Sequence, residues 1–168
     1  MVPVYRPLIS SLDLAPELHS VRVARRYATA AFQGWRVPAD TIDNAVTIIS
    51  ELATNALRHT GPTPEVEPPT GWSVRSSCTL VLQLWPCYVL ILVCDQDRRP
   101  PVLRRPAPDA ESGRGLQLVE ELSEAWGYAL PEPPAGKVVW AQVLLPDAPG
   151  PANSTRQGRS KHPQKAAP

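Results

Sequence analysis

Residues 50–61, Ser-Glu-Leu-Ala-Thr-Asn-Ala-Leu-Arg-His-Thr-Gly, decide the interpretation of this chain because they place two polar side chains inside an apolar helical pattern. Glu51 and Asn55 are four residues apart, and residues at this spacing stack on one face of a helix. An amide oxygen is a ligand suited to Mg²⁺, and a carboxylate one turn away can orient or deprotonate a hydroxyl. The pair is a candidate for nucleotide chemistry. The alternative is two polar residues on a solvated helix face.

The residues around this pair predict an amphipathic helix from 41 to 59. Its apolar positions recur at spacings of three and four, which is typical of a helix with one buried stripe. They are Ile42, Ala45, Val46, Ile49, Leu52, Ala53, Ala56 and Leu57. Glu51 and Asn55 lie at the edge of this stripe. Asp40 is the predicted N-cap, and Gly61-Pro62 is the predicted stop.

A second polar segment, Glu111-Ser-Gly-Arg-Gly-Leu-Gln-Leu-Val119, opens another amphipathic stretch. In it, Gly113 and Gly115 flank Arg114. Glycines at a helix start let the backbone approach a ligand closely, and the N–H groups at a helix N-terminus favour phosphate. The guanidinium of Arg114 suits phosphate oxygens. The alternative is an ordinary loop-to-helix turn with a surface arginine.

Two apolar runs between these segments, 78–85 and 88–94, predict a pair of strands with a turn at Pro86-Cys87. Asp95 follows the second run, at the point where a buried strand emerges. A carboxylate there can accept a hydrogen bond from an exocyclic amine such as that of adenine. Alternatively, Asp95 merely ends the strand.

The rest of the pattern predicts further elements of one α/β domain. Residues 4–12 predict an edge strand and 16–34 a first helix, and segments 125–131 and 138–145 complete the sheet. The apolar face of the first helix is predicted to comprise Leu18, Val21, Ala24, Ala28 and Ala31. A basic cluster on the same helix is suited to an acidic partner, although a solvated face is the preferred interpretation. It comprises Arg22, Arg25 and Arg26.

The composition excludes several classes of protein. A net charge of +1 over 168 residues argues against a dedicated nucleic-acid binder. The three cysteines, Cys78, Cys87 and Cys94, are odd in number and lack metal-ligand spacing, which favours reduced thiols. No apolar run reaches the ~18 residues needed to cross a bilayer, and no signal peptide opens the chain. We therefore expect a cytoplasmic protein that does not enter a membrane.

The chain divides into one predicted domain, residues 1–146, and a tail, residues 147–168. The tail loses apolar content and fills with Pro, Gly, Ser, Arg and Lys. Such a segment cannot bury enough apolar surface to order itself, so we expect it to be disordered.

The order of these segments resembles the GHKL superfamily of ATPases, which have the Bergerat fold. More narrowly, it resembles the stand-alone anti-sigma-factor serine/threonine kinases, over roughly residues 5–146. Ser50 in front of Glu51 favours this type, because sensor histidine kinases usually place a histidine there. The segments that carry the resemblance are the N box at 50–59, the second box opening at Val93-Cys-Asp95, the glycine box at 112–119, and the closing strands at 125–127 and 136–140.

The resemblance implies an α/β (α+β) two-layer sandwich, with a mixed, mainly antiparallel sheet covered on one face by helices. It also implies ATP and Mg²⁺ as cofactors. Glu51 would be the general base, Asn55 would hold Mg²⁺, and Asp95 would accept a hydrogen bond from the adenine amino group. The triphosphate would be lined by Gly113, Arg114, Gly115 and Leu116, and residues 96–112 would form a mobile lid.

The implied activity is phosphorylation of a serine or threonine on an anti-sigma factor antagonist. Transcription would then be regulated by partner switching and by sequestration of a sigma factor. No direct contact with nucleic acid or membrane is expected, and homodimers are usual for this type of protein.

Two departures from the family pattern keep other functions open. The second box usually runs Asp-x-Gly-x-Gly, but here Asp97 and Arg99 replace both glycines, so positive φ angles are less accessible. Val138 stands where many members carry a threonine near the adenine. One alternative is a non-catalytic interaction module, a pseudo-kinase with weak or no ATP turnover. A second is a detached ATPase domain that serves a histidine-kinase-like system.

Overall fold

A computed structural model of the chain describes residues 5–59, 78–102, 114–131, 136–146 and 164–165. Its helices are α1 (Ser20–Gly34), α2 (Ala39–His59) and α3 (Gly115–Leu122). Its strands are β1 (Leu8–Leu14), β2 (Cys78–Leu84), β3 (Tyr88–Asp95), β4 (Ala125–Ala129), β5 (Lys137–Leu144) and β6 (Gln164–Lys165).

The described strands form one sheet in the order β1-β2-β3-β5-β4-β6. Every neighbouring pair is antiparallel except β4 and β6, which are parallel. The sheet is therefore mixed and mainly antiparallel, and β1 is an edge strand, as predicted. The helices cover one face, since α2 packs on β2, β3 and β5. This confirms the predicted two-layer α+β fold.

Alternate residues of the central strands are buried under the helices, as expected for a sheet with one covered face. In β3 the covered positions are Val89, Ile91, Val93 and Asp95. In β5 they are Lys137, Val139, Ala141 and Val143. Antiparallel pairing sets Asp95 opposite Lys137. Two charged residues therefore end the rows of apolar side chains between the layers.

Helix α2 buries the predicted apolar stripe with small differences. Val46 and Leu57 are only half-buried, whereas Ile48, which the predicted stripe omitted, is fully buried. The helix begins at Ala39, so Asp40 lies in the first turn and is not the N-cap. Its carboxylate is still placed favourably, because the first turn carries the positive end of the helix dipole. The predicted stop at 61–62 lies outside the described residues.

Helix α1 begins at Ser20, four residues later than predicted, because the chain before it forms hydrogen-bonded turns. Leu18 lies in these turns and is exposed, so its predicted place on the apolar face is wrong. The side chains that α1 does bury are spaced four residues apart, at Ser20, Ala24, Ala28 and Phe32. Among the described residues, no helix is long and apolar enough to span a membrane.

The stretch 147–168, predicted to be disordered, contributes two residues to the sheet. Gln164 and Lys165 form β6 and pair with Gly127 and Tyr128 of β4. Disorder of the tail as a whole stays a prediction. The remaining residues of the stretch lie outside the described part of the chain.

Gly136 allows β3 and β5 to meet at the covered edge of the sheet. Its φ of +86° lies in the left-handed region that favours glycine. A Cβ at this position would overlap the carbonyl oxygen of Asp95 and would lie 2.8 Å from the Cα of Gln96. The absence of a side chain at residue 136 is therefore needed for Lys137 to lie beside Asp95.

We expect Gly136→Ala to lower the free energy of unfolding by more than about 1 kcal/mol, because both the φ angle and the contact with β3 exclude a side chain. Gly34→Ala is the matched control, since a Cβ there meets no heavy atom within 4 Å. Urea unfolding of both variants and the wild type measures the effect. An unchanged midpoint for Gly136→Ala would contradict this close approach of the two strands.

Candidate functional site

The carboxylate of Glu51 lies against Gly115, at the contact between α2 and α3. A Cβ on Gly115 would overlap Oε2 of Glu51 and would lie 3.4 Å from its Cδ. The glycine therefore leaves the space that the carboxylate occupies. The predicted N box and the predicted glycine box meet at this contact, where Glu51 and Gly115 are more than 60 residues apart in the chain.

The N-terminus of α3 supplies backbone donors beside this carboxylate. The first N–H groups of a helix have no acceptor within the helix, and they favour anions. Arg114 is the N-cap and is exposed. Leu116, a predicted contact of the triphosphate, has its side chain in the hydrophobic core, so the group it can offer a ligand is its backbone N–H. Gly113 lies outside the described residues.

Asn55 lies one turn after Glu51 on α2, and both side chains are half-buried. Their spacing places them on one face of the helix. The described residues contain no group of three or more His, Cys, Asp or Glu side chains that could hold a metal. Mg²⁺ does not need one, because it keeps several waters and takes other ligands from substrate phosphates. The side-chain oxygen of Asn55, which is predicted to hold Mg²⁺, is a ligand that fits such an ion.

Asp95 forms a buried ion pair that the sequence analysis did not predict. The side chains of Asp95 and Lys137 are 2% and 7% exposed. Oδ1 of Asp95 accepts hydrogen bonds from Nζ of Lys137 and from the backbone N–H of Asp97, each at 2.8 Å. Burial raises the pKa of Asp95, and the hydrogen bond and charge of Lys137 oppose that increase. The predicted adenine-binding carboxylate is therefore already paired with a cation.

The turn after Asp95 is closed without glycine. The carboxylate of Asp97 accepts hydrogen bonds from the backbone N–H of Arg99 at 3.0 Å and from its Nε at 2.9 Å. This guanidinium lowers the pKa of Asp97 to about 2. The only non-glycine residue with positive φ in the described part of the chain is Arg36. The turn thus uses side-chain-to-backbone bonds of the Asx type, and the loss of both glycines does not strain its backbone.

Val138 does not occupy the position beside Asp95. Successive residues of a strand point to opposite faces of the sheet, and Val138 pairs with Cys94 on the face away from the helices. The side chain beside Asp95 is that of Lys137. That Val138 lies near the adenine stays a prediction. Finding Lys137 from the sequence would have required the pairing of β3 with β5.

The predicted lid is described only in part. Residues 96–102 follow β3, and in them Arg98 donates a hydrogen bond to the carbonyl oxygen of Pro131 at 3.4 Å. The rest of the predicted lid, residues 103–112, lies outside the described part of the chain.

Comparison with known protein families agrees with this arrangement. The family model for the histidine kinase-like ATPase domain matches residues 14–143, which is well over half of the 168 residues. No curated protein matches the chain. The match spans α1 to β5 and includes Glu51, Asn55, Asp95 and Gly115. It supports binding of ATP and an ATP-dependent kinase or ATPase activity. The chain belongs to the histidine kinase-like ATPase domain family.

Proposed function

We propose that this protein is a Mg²⁺- and ATP-dependent serine/threonine kinase of the anti-sigma-factor type, acting in the cytoplasm. The observation that supports the proposal most is the contact between the Glu51 carboxylate and Gly115. It puts a candidate proton acceptor next to backbone donors suited to phosphate. Ser50 adds support, because its hydroxyl bonds to the carbonyl of Val46 at 2.8 Å and no histidine precedes Glu51.

In the proposed reaction, the carboxylate of Glu51 accepts the proton of a seryl or threonyl hydroxyl on the partner protein. The hydroxyl oxygen forms a bond to the γ-phosphorus of ATP while the bond to the β,γ-bridging oxygen breaks, and ADP leaves. Asn55 would hold Mg²⁺ through its side-chain oxygen, and the bound ion supplies charge neutralisation at the phosphates. Arg114 and the first N–H groups of α3 would contact the phosphate oxygens.

The proposed substrate is an anti-sigma factor antagonist, and the proposed output is partner switching with a sigma factor. A groove of about 580 Å³ between α1 and α2 supports a protein partner with acidic side chains. We call it the arginine groove; it is lined by Arg22, Arg25, Arg26, Thr29, Ala30, Gln33 and Val46. Its arginines form no ion pair with other described residues. Uncompensated cations at a concave surface attract acidic partners.

A second candidate function is a non-catalytic interaction module with the same fold. The observation that favours it is the ion pair between Asp95 and Lys137, which occupies one oxygen, Oδ1, of the carboxylate proposed to bind adenine. Such a module would bind its partner through the arginine groove and would turn over little or no ATP.

One experiment separates the two functions. Purified protein is incubated with γ-labelled ATP, Mg²⁺ and an antagonist protein encoded nearby, and transfer of label to the antagonist is measured. Labelled antagonist supports the kinase. Binding of the antagonist without transfer, under conditions in which ATP is bound, supports the interaction module instead.

We expect Asn55→Ala to abolish Mg²⁺-dependent nucleotide binding, because the amide oxygen that would hold the ion is removed. Asn44→Ala is the matched control: it removes the same group from α2 about 16 Å away along the helix. Labelled ATP is titrated with Mg²⁺ and with a chelator. If the Asn55 variant binds ATP as tightly as wild type in Mg²⁺, the assignment of Asn55 to the metal is wrong.

We expect Glu51→Ala to bind ATP but to transfer phosphate about 10²- to 10⁴-fold more slowly, as expected for loss of a general base. Gly115→Ala should have a similar effect on transfer with an unchanged midpoint of thermal unfolding. Its Cβ would displace the mobile end of the Glu51 side chain without disturbing the backbone. Transfer at the wild-type rate by both variants would remove Glu51 as the base.

The arginine groove makes a prediction about partner affinity. Reversing two charges with Arg25→Glu and Arg26→Glu should weaken antagonist binding about tenfold or more, and the difference should shrink at high salt. Arg6→Glu with Arg36→Glu is the control, because both arginines are exposed outside the groove and the change in net charge is equal. Equal affinity of the two double variants, measured by calorimetry, would place the partner elsewhere.

A further inference from the structure

The ammonium group of Lys137 binds both Asp95 and the turn that follows it. Nζ of Lys137 lies 2.8 Å from Oδ1 of Asp95 and 2.8 Å from the backbone carbonyl oxygen of Asp97. The backbone N–H of Asp97 bonds to the same Oδ1 at 2.8 Å. Three hydrogen bonds thus close the chain from Asp95 to Asp97 around one ammonium group. Lys137 connects the end of β3 to the turn that lacks its two glycines.

The hydrogen bonds to the carboxylate of Asp95 leave one of its two oxygens, Oδ2, as an acceptor for a ligand. Both bonds that it receives from other described residues go to Oδ1. Oδ2 receives none among these residues, and an ionised carboxylate oxygen can accept from an exocyclic N–H. A protonated carboxyl would present an O–H donor, which suits a carbonyl oxygen. An ionised Asp95 therefore suits the amino group of a purine, and a protonated Asp95 suits an oxo group at the same position.

Among the groups around Asp95, Lys137 does most to lower the pKa of its carboxyl. Burial raises the pKa of Asp95, and the nearby carboxylate of Asp97 raises it further. The hydrogen bond and charge of Lys137, together with the backbone N–H of Asp97, lower it. The guanidinium of Arg99 bonds to Asp97 and not to Asp95. The neighbouring thiols, those of Cys94 and of Cys78 opposite Asp95 on β2, carry no positive charge. Without Lys137, both the hydrogen bond and the charge that oppose the effect of burial are lost, so the pKa of Asp95 rises further.

We propose that Lys137 is the positioning residue of the base-recognition site: it holds the Asp95–Asp97 turn in place of the two glycines and keeps the Asp95 carboxylate available to a 6-amino purine. Lys137 acts through Asp95 and need not touch the nucleotide. This inference rests on the proposed binding of ATP, and it names the residue that determines how strongly the site prefers adenine over a 6-oxo purine.

The test compares wild type, Lys137→Gln and the charge-retaining Lys137→Arg in binding ATP and inosine triphosphate, the 6-oxo analogue, between pH 6 and pH 8.5. Wild type should prefer ATP about tenfold or more at every pH. The arginine variant should keep most of this preference. The glutamine variant should bind ATP about tenfold more weakly than wild type at pH 6, and its affinity for ATP should recover as the pH rises and Asp95 ionises. Its preference for ATP over inosine triphosphate should be smallest at low pH.

A purely structural role would lower the affinity of the glutamine variant for both nucleotides equally at all pH values, and that result overturns the inference. So does an unchanged preference with an unchanged pH profile. Circular dichroism checks that each variant is folded. If wild type binds neither nucleotide, the proposed function fails, and this failure is visible before any variant is made.

An NMR measurement on the wild type needs neither a variant nor a nucleotide. The ¹³C shift of the Asp95 carboxyl and the ¹⁵N shift of Lys137 Nζ should change at one common midpoint as the pH is lowered, because protonation of the acid removes the partner of the ammonium group. Separate midpoints, or a carboxyl of Asp95 that is already protonated at pH 7, overturn the assignment of Lys137 even if ATP is bound.

Discussion

Helix α2 packs Ile49, Leu52 and Ala53 between the layers, and this burial determines where Glu51 and Asn55 can point. Burying a large aliphatic side chain stabilises a fold by about 1.5–3 kcal/mol, so rotating the helix to bury Glu51 instead would be strongly unfavourable. The helix also packs on β2, β3, β5 and α3 at once. The two polar side chains at the edge of the stripe are consequently held at a boundary of the core.

Two glycines make the close approaches on which the site depends, and they act differently. Gly115 leaves room for a side chain, the carboxylate of Glu51, whose far end can move. Gly136 leaves room for the backbone at Asp95, which cannot move without opening the sheet, and its positive φ adds a second constraint. A side chain at residue 115 is therefore expected to affect chemistry, whereas one at residue 136 is expected to affect the fold.

The turn that follows β3 shows how a chain can lose the glycines of a motif and still form a closed turn. Asp95 and Asp97 each accept a hydrogen bond from a backbone N–H two residues later, and Lys137 and Arg99 supply the compensating charges. Burying two charges is favourable only when they are paired and hydrogen-bonded. The arrangement depends on a lysine from a different strand. The absence of the two glycines from the sequence therefore does not by itself show how this turn is closed.

The sequence by itself determined the helices and the paired strands, because hydrophobic periodicity is a local property of the chain. The family and the one-sided sheet were predicted from the resemblance that its ordered motifs carry. The sequence also singled out Asp95 and Gly115. Only the tertiary structure decided which residues face them. The contact of Glu51 with Gly115 needs α3 to pack on α2, and the contact of Asp95 with Lys137 needs β5 to pair with β3. Strand order and helix packing arise from burial summed over the whole core, so a local pattern does not contain them.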